Sequence, residues 1–361
     1  MERAQGILPG QRLRGRGAAS NAAGRFEATS REGVADGWDI PEEERPVRTE
    51  VREERARSAI SWNDSPDLGF DRSVNPYRGC EHGCVYCYAR PTHAFLNLSP
   101  GLDFETRLIA RPGIGAVLER ELRATGYVPQ VMVLGTNTDP YQPVEDRLRV
   151  TREVLEVLRD FNHPVGITTR GALVERDIDI LAPMAARGLA RVGISITTLD
   201  AGLARRMEPR APAPARRLQM IRRLAEAGIP VRVMVSPVIP ALTDHETEAI
   251  LTAARDAGAV AASTIVLRLP REVSGLFRDW LETTLPDRAA RVMARVRELH
   301  GGRDYDPTFG QRFRGQGVWA DLMRQRFQAA CARLGLARHL PPMRTDLFAP
   351  PPRAGDQLSL F

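Results

Sequence analysis

The stretch Cys80-Glu81-His82-Gly83-Cys84-Val85-Tyr86-Cys87 places three thiols within eight residues. A closed structural zinc site takes four protein ligands, so zinc would need His82, His93 or a remote group as the fourth. Disulfide bonds pair cysteines, and three is an odd number. An iron–sulfur cluster normally takes four thiolates, and with three of them one cluster iron is left open to an exogenous ligand. The spacing therefore indicates a site that uses three protein thiolates.

The same stretch resembles the signature of the radical S-adenosylmethionine (SAM) enzymes, CxxxCxxC with an aromatic residue directly before the last cysteine. This resemblance implies that Cys80, Cys84 and Cys87 are the metal-binding and catalytic residues, that they hold a [4Fe–4S] cluster, and that SAM binds the open iron. It also implies that Tyr86 packs near the adenine. Zinc or incidental thiols are the alternatives, and Cys331 is expected to be a buried, inert thiol outside the cluster.

Longer stretches are similar to the branch of this superfamily that contains spore photoproduct lyase. They are NPYRGCEHGCVYCYARP (Asn75–Pro91), TDPYQPVE (Thr138–Glu145), EPRAP (Glu208–Pro212) and SPVIPALTD (Ser236–Asp244). The resemblance covers about residues 10–340. It implies a radical enzyme acting on nucleic acid, with DNA favoured, in repair or modification, and we expect a flavodoxin- or ferredoxin-type electron donor.

One departure from that branch concerns the hydrogen donor. Spore photoproduct lyase uses an additional cysteine beyond its cluster to return a hydrogen atom to the product radical, whereas no cysteine lies between Cys87 and Cys331 here. Either a tyrosine such as Tyr141 or Tyr305 takes that role or the reaction differs. Thymine-dimer reversal is therefore not inferred.

Short apolar, β-branched runs alternate with stretches of helical periodicity from residue 72 onward. This alternation predicts an α/β fold, with a parallel sheet, right-handed crossovers and binding groups on the loops after the strands. Six strands match the partial (β/α)6 barrel of radical SAM proteins. They are predicted at residues 73–77, 131–134, 165–168, 192–196, 231–235 and 264–267, with later helices at Asp287–Leu299 and Val318–Leu334.

We expect four regions in the chain. Residues 1–60 are an Arg/Gly-rich and then acidic N-terminal arm, largely disordered, that either touches nucleic acid or packs partly against the core. Residues 61–286 are the radical SAM core and 287–340 a helical C-terminal extension. Residues 341–361 are a Pro-rich tail that closes no structure of its own.

Composition limits the class of protein. Of 361 residues 43% are hydrophobic, which is enough for a substantial core. No apolar run approaches the length of a membrane span and no secretory leader is visible, so we expect a cytoplasmic protein with no membrane partner. All 51 basic residues are Arg, and residues 287–361 carry 13 of them against 7 acids, so the net charge of +6 lies there. A basic surface binds any polyanion, DNA or RNA.

Polar residues at successive strand ends are the candidates for binding SAM. Thr136, Asn137 and Thr138 follow the second predicted strand and are placed to hydrogen-bond the amino group. Arg170 follows the third, where the lyase-like branch usually has a Lys that meets the SAM carboxylate, so it would be a bidentate substitute. Loop capping or surface ion pairs are the alternative for each of these residues.

Further candidates come from the fourth strand and the loop after it. Ser195 is assigned to the ribose, and Glu208 and Arg210 to the same pocket. We expect Asp139 to brace the turn at Pro140 rather than to bind, and His82 to be a solvated loop residue. Tyr88 and Arg90, just past the cysteines, either face the substrate or pack.

The last five residues of the sequence, Gln357, Leu358, Ser359, Leu360 and Phe361, resemble the pentapeptide that binds the bacterial sliding clamp. An apolar end on a stiff Pro-rich tether suits a docking peptide, and packing on its own domain is the alternative.

Two other functions compete with a nucleic-acid radical enzyme. The same chemistry could serve RNA, a peptide or a small molecule, or the chain could be a non-catalytic Fe–S or zinc adaptor docked to the clamp.

Overall fold

A parallel β/α sheet is the centre of the computed structural model, which describes residues 15–21, 24–26 and 48–353. The strands of this part of the chain are β1 (Glu50–Glu53), β2 (Ile60–Trp62), β3 (Arg72–Val74), β4 (Tyr77–Arg78), β5 (Arg107–Ala110), β6 (Met132–Leu134), β7 (Val165–Thr169), β8 (Ala190–Ser195), β9 (Val231–Val238) and β10 (Ala261–Val266).

The helices of the described residues follow most of these strands. They are α1 (Asp103–Thr106), α2 (Ile114–Leu122), α3 (Glu145–Leu148), α4 (Val150–Asp160), α5 (Ile178–Ala186), α6 (Ala201–Met207), α7 (Pro214–Glu226), α8 (Thr247–Asp256), α9 (Glu272–Thr284), α10 (Pro286–Leu299) and α11 (Gly317–Leu334), with 3-10 helices at Arg90–Leu96, Ala172–Asp177 and Asp244–Glu246.

The larger sheet has seven strands within the described ranges, in the order β10-β9-β8-β7-β6-β3-β2. Every neighbouring pair is parallel except β2 with β3. Six parallel strands with helical crossovers confirm the predicted α/β fold of the partial (β/α)6 type. The antiparallel edge strand β2 was not predicted, because its three residues are too few to show a period.

Burial follows the pattern of apolar residues along each element. Val192 and Ile194 on β8 are almost completely buried, as expected for a strand with helices covering its outer face. On α4 the residues at helical spacing, including Val154 and Leu158, pack into the same core. The apolar period therefore positions the helices against the sheet.

The first predicted strand is interrupted in the structure. Residues 72–74 pair with β6 in the large sheet, whereas Tyr77 and Arg78 pair with β5 in a second sheet of order β1-β5-β4. Pro76 has no N–H to give to a sheet, and the preceding Asn75 is restricted too, so the chain changes partner there. The break sends the chain toward the cysteine-rich loop.

Part of the predicted N-terminal arm is built into the fold. Residues 50–53 form β1 parallel to β5, and residue 60 begins β2, so the order extends further upstream than we predicted. Near residue 17 the backbone packs so closely on the loop of Gly83 that a Cβ at Gly17 would lie 1.7 Å from the Gly83 carbonyl oxygen. Only glycine fits there.

The C-terminal helices agree with prediction. Helices α10 and α11 each begin one residue before the predicted start and end at the predicted residue. Cys331 is 1% exposed and packs in the core with Phe327, which confirms that this thiol is buried and separate from the other three. The helix α9 before them was not predicted.

Residues 341–353 form a strap that packs on the sheet's lower end, which corrects the prediction of a tail without structure. The Phe348 ring lies 5.6 Å from the rings of Tyr127 and His163. The Ala349 N–H donates to the Phe161 carbonyl at 3.0 Å. These contacts precede β6 and β7, so the strap covers the end of the strands opposite their carboxyl ends. The clamp-like pentapeptide lies outside the described residues.

Within the described ranges, we find no helix that combines the length and the apolar character needed to cross a bilayer.

Candidate functional site

The loop from Cys80 to Cys87 is held by backbone hydrogen bonds to several parts of the fold. The Cys80 N–H donates to the Phe104 carbonyl at 2.9 Å, and the Val85 N–H to the Met207 carbonyl at 3.0 Å. The Gln142 side chain accepts from the Glu81 N–H at 2.9 Å. These bonds join the loop to α1, α6 and the β6–α3 connection. The loop is therefore fixed before any ligand binds.

Arg90 stabilises the same loop from inside. It is fully buried, and its Nε donates to the Cys84 carbonyl at 2.9 Å. Its guanidinium forms an ion pair with Glu105 at 2.5 Å. The Glu105 carboxylate also accepts from the N–H groups of Gly17 and Ala18 at 2.9 and 2.8 Å. Arg90 is a structural residue and does not face a substrate.

The three thiols line one cavity, where Cys80 and Cys84 are buried and Cys87 is partly exposed. Cys80 and Cys84 are 6% and 7% exposed. Burial raises the pKa of all three thiols, that of Cys84 to about 12. In the described part of the chain, no three His, Cys, Asp or Glu side chains converge on a point where one metal ion could be held. The thiols instead surround a shared space.

That cavity measures about 950 Å³, including solvent at its mouth. Strand ends form its wall, because Gly135 follows β6, Ser195 ends β8, and Thr168 and Ser236 lie among the last three residues of β7 and β9. A Cβ at Gly135, where φ is +86°, would lie 1.9 Å from the Thr168 carbonyl oxygen, so this close approach requires glycine. Predicted residues that line the cavity are Cys80, Cys84, Cys87, Tyr86, Asn137, Thr138, Arg170 and Ser195.

Arg170 reaches across the cavity floor from the end of β7. Its Nη1 lies 2.7 Å from the Cys84 Sγ and 3.0 Å from the Tyr86 hydroxyl. It pairs with Glu208 at 3.2 Å and donates from Nη2 to the Ser195 hydroxyl at 3.2 Å. One guanidinium therefore links four of the predicted residues.

Glu208 lies behind the cavity wall rather than in it. Its carboxylate accepts from the Tyr86 hydroxyl and pairs with Arg217, which is 1% exposed. Asp200 caps α6 by accepting from the Gly202 N–H at 2.7 Å, and Glu208 follows the end of that helix. Burial alone would raise the pKa of Glu208, but Arg217 and Arg170 lower it to about 2.

Asp139 connects the cysteine loop to two strand ends. Its carboxylate accepts from the N–H groups of Tyr141 and Arg170, both at 2.9 Å, so it braces the turn as predicted. The His82 imidazole lies 3.3 Å away. Burial would raise the pKa of Asp139, but His82 and the hydrogen bonds, including one from Thr169, lower it to about 2. His82 is 2% exposed, so our prediction of a solvated histidine was wrong.

Thr136, Glu208 and Arg210 are not among the described residues that line the cavity. The Thr136 carbonyl accepts from the Tyr88 hydroxyl. Arg210 pairs with Glu81 at 3.1 Å on the outside of the cysteine loop. Their contact with a cofactor stays a prediction, and in the structure the Arg210 guanidinium and the Glu208 carboxylate already have protein partners.

Several lining residues were missed by the sequence analysis. They are Thr168, Met234, Ser236, Pro237, Ile265, Val266 and Arg268. His82 and Asp139 line the cavity although neither was expected to bind, and Gly135 and Thr169 line it at the predicted strand ends. Tyr88, for which facing the substrate was one of two predicted roles, also lines it. Ser236 and Arg268 could have been found by applying the strand-end rule to the fifth and sixth predicted strands. The fully buried Tyr141 does not line the cavity, whereas the Tyr305 hydroxyl accepts from Arg268 at 3.2 Å near its rim.

Comparison with known families agrees with the geometry. A model described as "Radical SAM superfamily" matches residues 74–254. An uncharacterized protein of Mycobacterium tuberculosis (strain ATCC 25618 / H37Rv) is 34% identical over 288 residues, which are 78% of this chain and 81% of the relative. An uncharacterized protein of Methanocaldococcus jannaschii is 25% identical over 55% of this chain and 71% of its own length.

Among solved structures, a spore photoproduct lyase mutant with bound AdoMet and dinucleoside spore photoproduct is similar in fold. The TM-score is 0.59 at 14% identity, with 80% of this chain and 81% of the lyase chain covered. At that identity the likeness concerns the fold alone.

Proposed function

Because this chain belongs to the radical SAM superfamily, whose enzymes use SAM and a [4Fe–4S] cluster, we propose that Cys80, Cys84 and Cys87 hold that cluster and that the enzyme acts on nucleic acid. Once bound and reduced by an electron donor, the cluster would supply the one electron for reductive cleavage of SAM, the chemistry by which an unactivated C–H of a substrate is attacked.

The residues present fit such a cluster. Three thiols on one fixed loop line one cavity, and each can bind a different iron as thiolate. Burial opposes their ionisation in the free protein, whereas a bound metal deprotonates a coordinating thiol. Arg170, 2.7 Å from the Cys84 Sγ, places a positive charge beside the resulting thiolate.

The balance of charge at Arg170 is the observation that carries the proposal for SAM. Arg170 and Arg217 both pair with the single carboxylate of Glu208. These three groups carry one net positive charge, part of which the Cys84 thiolate would balance once a metal is bound, and Arg170 is the cation that faces the cavity. A guanidinium binds a carboxylate in a bidentate manner, so we assign the SAM carboxylate to Arg170.

Other side chains orient the ligand and exclude water. Ser195 donates to the Ser236 carbonyl at 2.8 Å and keeps oxygen lone pairs near the cavity, which suits a ribose hydroxyl. Asn137 and Thr138 at the end of β6 are proposed to meet the amino group. Tyr86, 5% exposed and bonded to Glu208, forms part of a rigid floor that limits the access of water.

Nucleic acid as the substrate is supported by three features of the chain and its relatives. The net charge is +6 and lies in the C-terminal part. A half-exposed aromatic ring, Tyr88, lines the cavity near Arg268. The solved lyase of similar fold holds a dinucleoside photoproduct. We propose DNA repair or modification as the process, and exclude thymine-dimer reversal by a cysteine donor from the proposal.

Anaerobic reconstitution with iron and sulfide, followed by SAM and dithionite in place of the expected flavodoxin- or ferredoxin-type donor, tests the chemistry. The wild-type protein should release 5′-deoxyadenosine. Cys84→Ala should lose both the cluster absorbance and that release, whereas Cys331→Ala should keep both. Cluster assembly or 5′-deoxyadenosine release by Cys84→Ala at the wild-type level would contradict the assignment.

The nucleic-acid target needs a separate measurement. Mass spectrometry of DNA and RNA nucleosides from cells with and without the protein should reveal one modified or unrepaired DNA nucleoside that depends on it. A change confined to RNA, or no change in either polymer, would contradict DNA as the target without affecting the cluster assignment.

We also propose that the segment from Gln357 to Phe361 binds the sliding clamp. The strap ends its described course at Arg353, so a short segment joins it to the pentapeptide. Deleting residues 357–361 should abolish binding to the immobilised clamp, and a peptide of that sequence should compete. Equal binding by the intact and truncated proteins would contradict the proposal.

A further inference from the structure

Arg268 occupies a distinct position at the cavity rim. It follows β10 and lines the same cavity as the three thiols. Its guanidinium lies 4.5 Å from the centre of the Phe313 ring, 5.1 Å from that of Tyr88 and 5.7 Å from that of Tyr305. Three rings, one just after the cysteine loop and two in the α10–α11 connection, therefore fix one cation, which is a rigid arrangement for a side chain that is usually mobile.

Within the described ranges, the charge of Arg268 has no counter-ion. Among the described residues it forms no ion pair with a carboxylate, and its hydrogen bond goes to the neutral Tyr305 hydroxyl at 3.2 Å. Its Nε is buried without a hydrogen-bond partner. Burying part of a cation is costly unless an anion compensates for it, so the missing anion is expected from a ligand.

The surroundings of Arg268 suit a nucleotide. The Tyr88 ring is 44% exposed and stands beside the guanidinium, available for stacking with a base. Ile265 and Val266 supply an apolar wall next to it. A planar fork with free N–H donors matches phosphate oxygens, and the flanking ring suits the base attached to that phosphate.

We infer that Arg268 binds a phosphodiester group of a single-stranded or extruded nucleotide and so selects the substrate at the outer end of the cavity. This inference rests on the proposed function and names the group by which the substrate would be recognised. The contact is distinct from the one proposed for Arg170, because the two guanidinium groups meet different anions.

The test measures binding of a fluorescein-labelled, short single-stranded oligodeoxynucleotide to the cluster-loaded full chain over a range of salt concentrations. Arg268→Gln should weaken binding roughly tenfold or more. It should also reduce the slope of log K against log salt by about 0.7, the amount expected for one lost phosphate contact on a single strand. Arg268→Lys should keep the slope and bind with intermediate affinity.

Arg159→Gln is the matched control, since it removes the same charge from an exposed residue at the far end of α4 that pairs with Asp160. It should leave affinity and slope unchanged. An oligonucleotide with neutral methylphosphonate linkages should bind wild type and Arg268→Gln equally. Melting temperatures and cluster absorbance establish that each variant is folded and loaded.

Each outcome separates this inference from the proposed function. If wild type binds the oligonucleotide and Arg268→Gln binds with the same affinity and slope, the inference fails while the nucleic-acid target stands. If wild type does not bind, the inference and that target both fail. If wild type releases no 5′-deoxyadenosine, the proposed radical chemistry fails, whether or not the oligonucleotide binds.

Discussion

The two arginines of the cavity differ in how the protein itself treats their charge. Arg170 at the inner end contacts a thiol, a phenol, a serine and a carboxylate. Arg268 at the rim is surrounded by aromatic rings and, within the described residues, pairs with no carboxylate. The inner cation belongs to a built ionic network, whereas the outer one is held by shape and by ring electrostatics.

This difference supports the proposal that one cavity binds two ligands, a cofactor at its inner end and a substrate at its rim. A cation in a network of fixed partners is pre-organised for a ligand that always has the same form, such as a cofactor. A cation between rings has donors left over, which a variable substrate can use. The inner network should therefore affect stability as well as cofactor binding, and the outer arginine mainly substrate binding.

Among the variants proposed, removal of the Glu208 charge should have the largest effect, which is a loss in the free energy of unfolding. Glu208→Gln leaves the buried Arg217 without its carboxylate, and breaking a buried pair in this way typically costs about 3–5 kcal/mol. Urea unfolding of the cluster-free protein measures the loss. Glu226→Gln at an exposed position should change the free energy of unfolding by less than about 0.5 kcal/mol. A neutral result for Glu208→Gln would mean that the network is dispensable.

Acid should weaken the inner network through the same residue. The pKa of Glu208 is lowered in the folded protein to about 2, so the charged form stabilises the fold above the ordinary pKa of the carboxyl. This contribution should decline as the pH falls from about 4.5 toward 2. Unfolding measured across that window should show a shallower pH dependence in Glu208→Gln than in wild type, and parallel curves would contradict the assignment.

Arg170→Gln should have the next largest effect, on the cofactor rather than on substrate. Loss of a charge-assisted pair with the SAM carboxylate is expected to weaken SAM binding by roughly tenfold to a hundredfold. Arg170→Lys keeps the charge and should lose less. Equilibrium dialysis of labelled SAM with the cluster-loaded protein measures both.

SAM binding by Arg170→Gln at the wild-type level would contradict the assignment of the SAM carboxylate to Arg170. A change in the salt slope of oligonucleotide binding by this variant would also contradict the assignment, because we assign that phosphate contact to Arg268.

Tyr305→Phe should give the smallest effect. It removes the hydroxyl that accepts from Arg268 at 3.2 Å and keeps the ring. One neutral hydrogen-bond acceptor contributes about 0.5–1.5 kcal/mol, so oligonucleotide affinity should fall by roughly twofold to tenfold, with SAM binding unchanged. Fluorescence anisotropy measures oligonucleotide affinity and equilibrium dialysis measures SAM binding, both on the same preparation. A loss of SAM binding would show that the two ends are coupled.

Much of the fold was predictable because its signals are local. The apolar runs at 165–168 and 192–196 and the helices at 287–299 and 318–334 have clear periods, and the structure places elements there. The short strands β1, β4 and β5 were missed, because their pairing depends on residues far apart in sequence. The strap at 341–353 was missed for the same reason, since the partners of Phe348, Tyr127 and His163, lie roughly two hundred residues upstream.

The site residues also divide into those with a local sequence signal and those without one. The cysteine spacing and the strand-end rule identified Arg170 and Ser195, which the cavity contains. The rule does not say how deep a side chain lies, so it did not indicate that the Glu208 carboxylate is behind the cavity wall and pairs with Arg217. Burial of His82 depends on Asp139, more than fifty residues later, and no local pattern signals that contact.

The strap at residues 341–353 and the cavity lie at opposite ends of the strands β6 and β7. Phe348 and Ala349 contact residues that precede the amino ends of these strands. The cavity opens at the carboxyl ends. A molecule bound to the strap would therefore not block the entrance of the cavity.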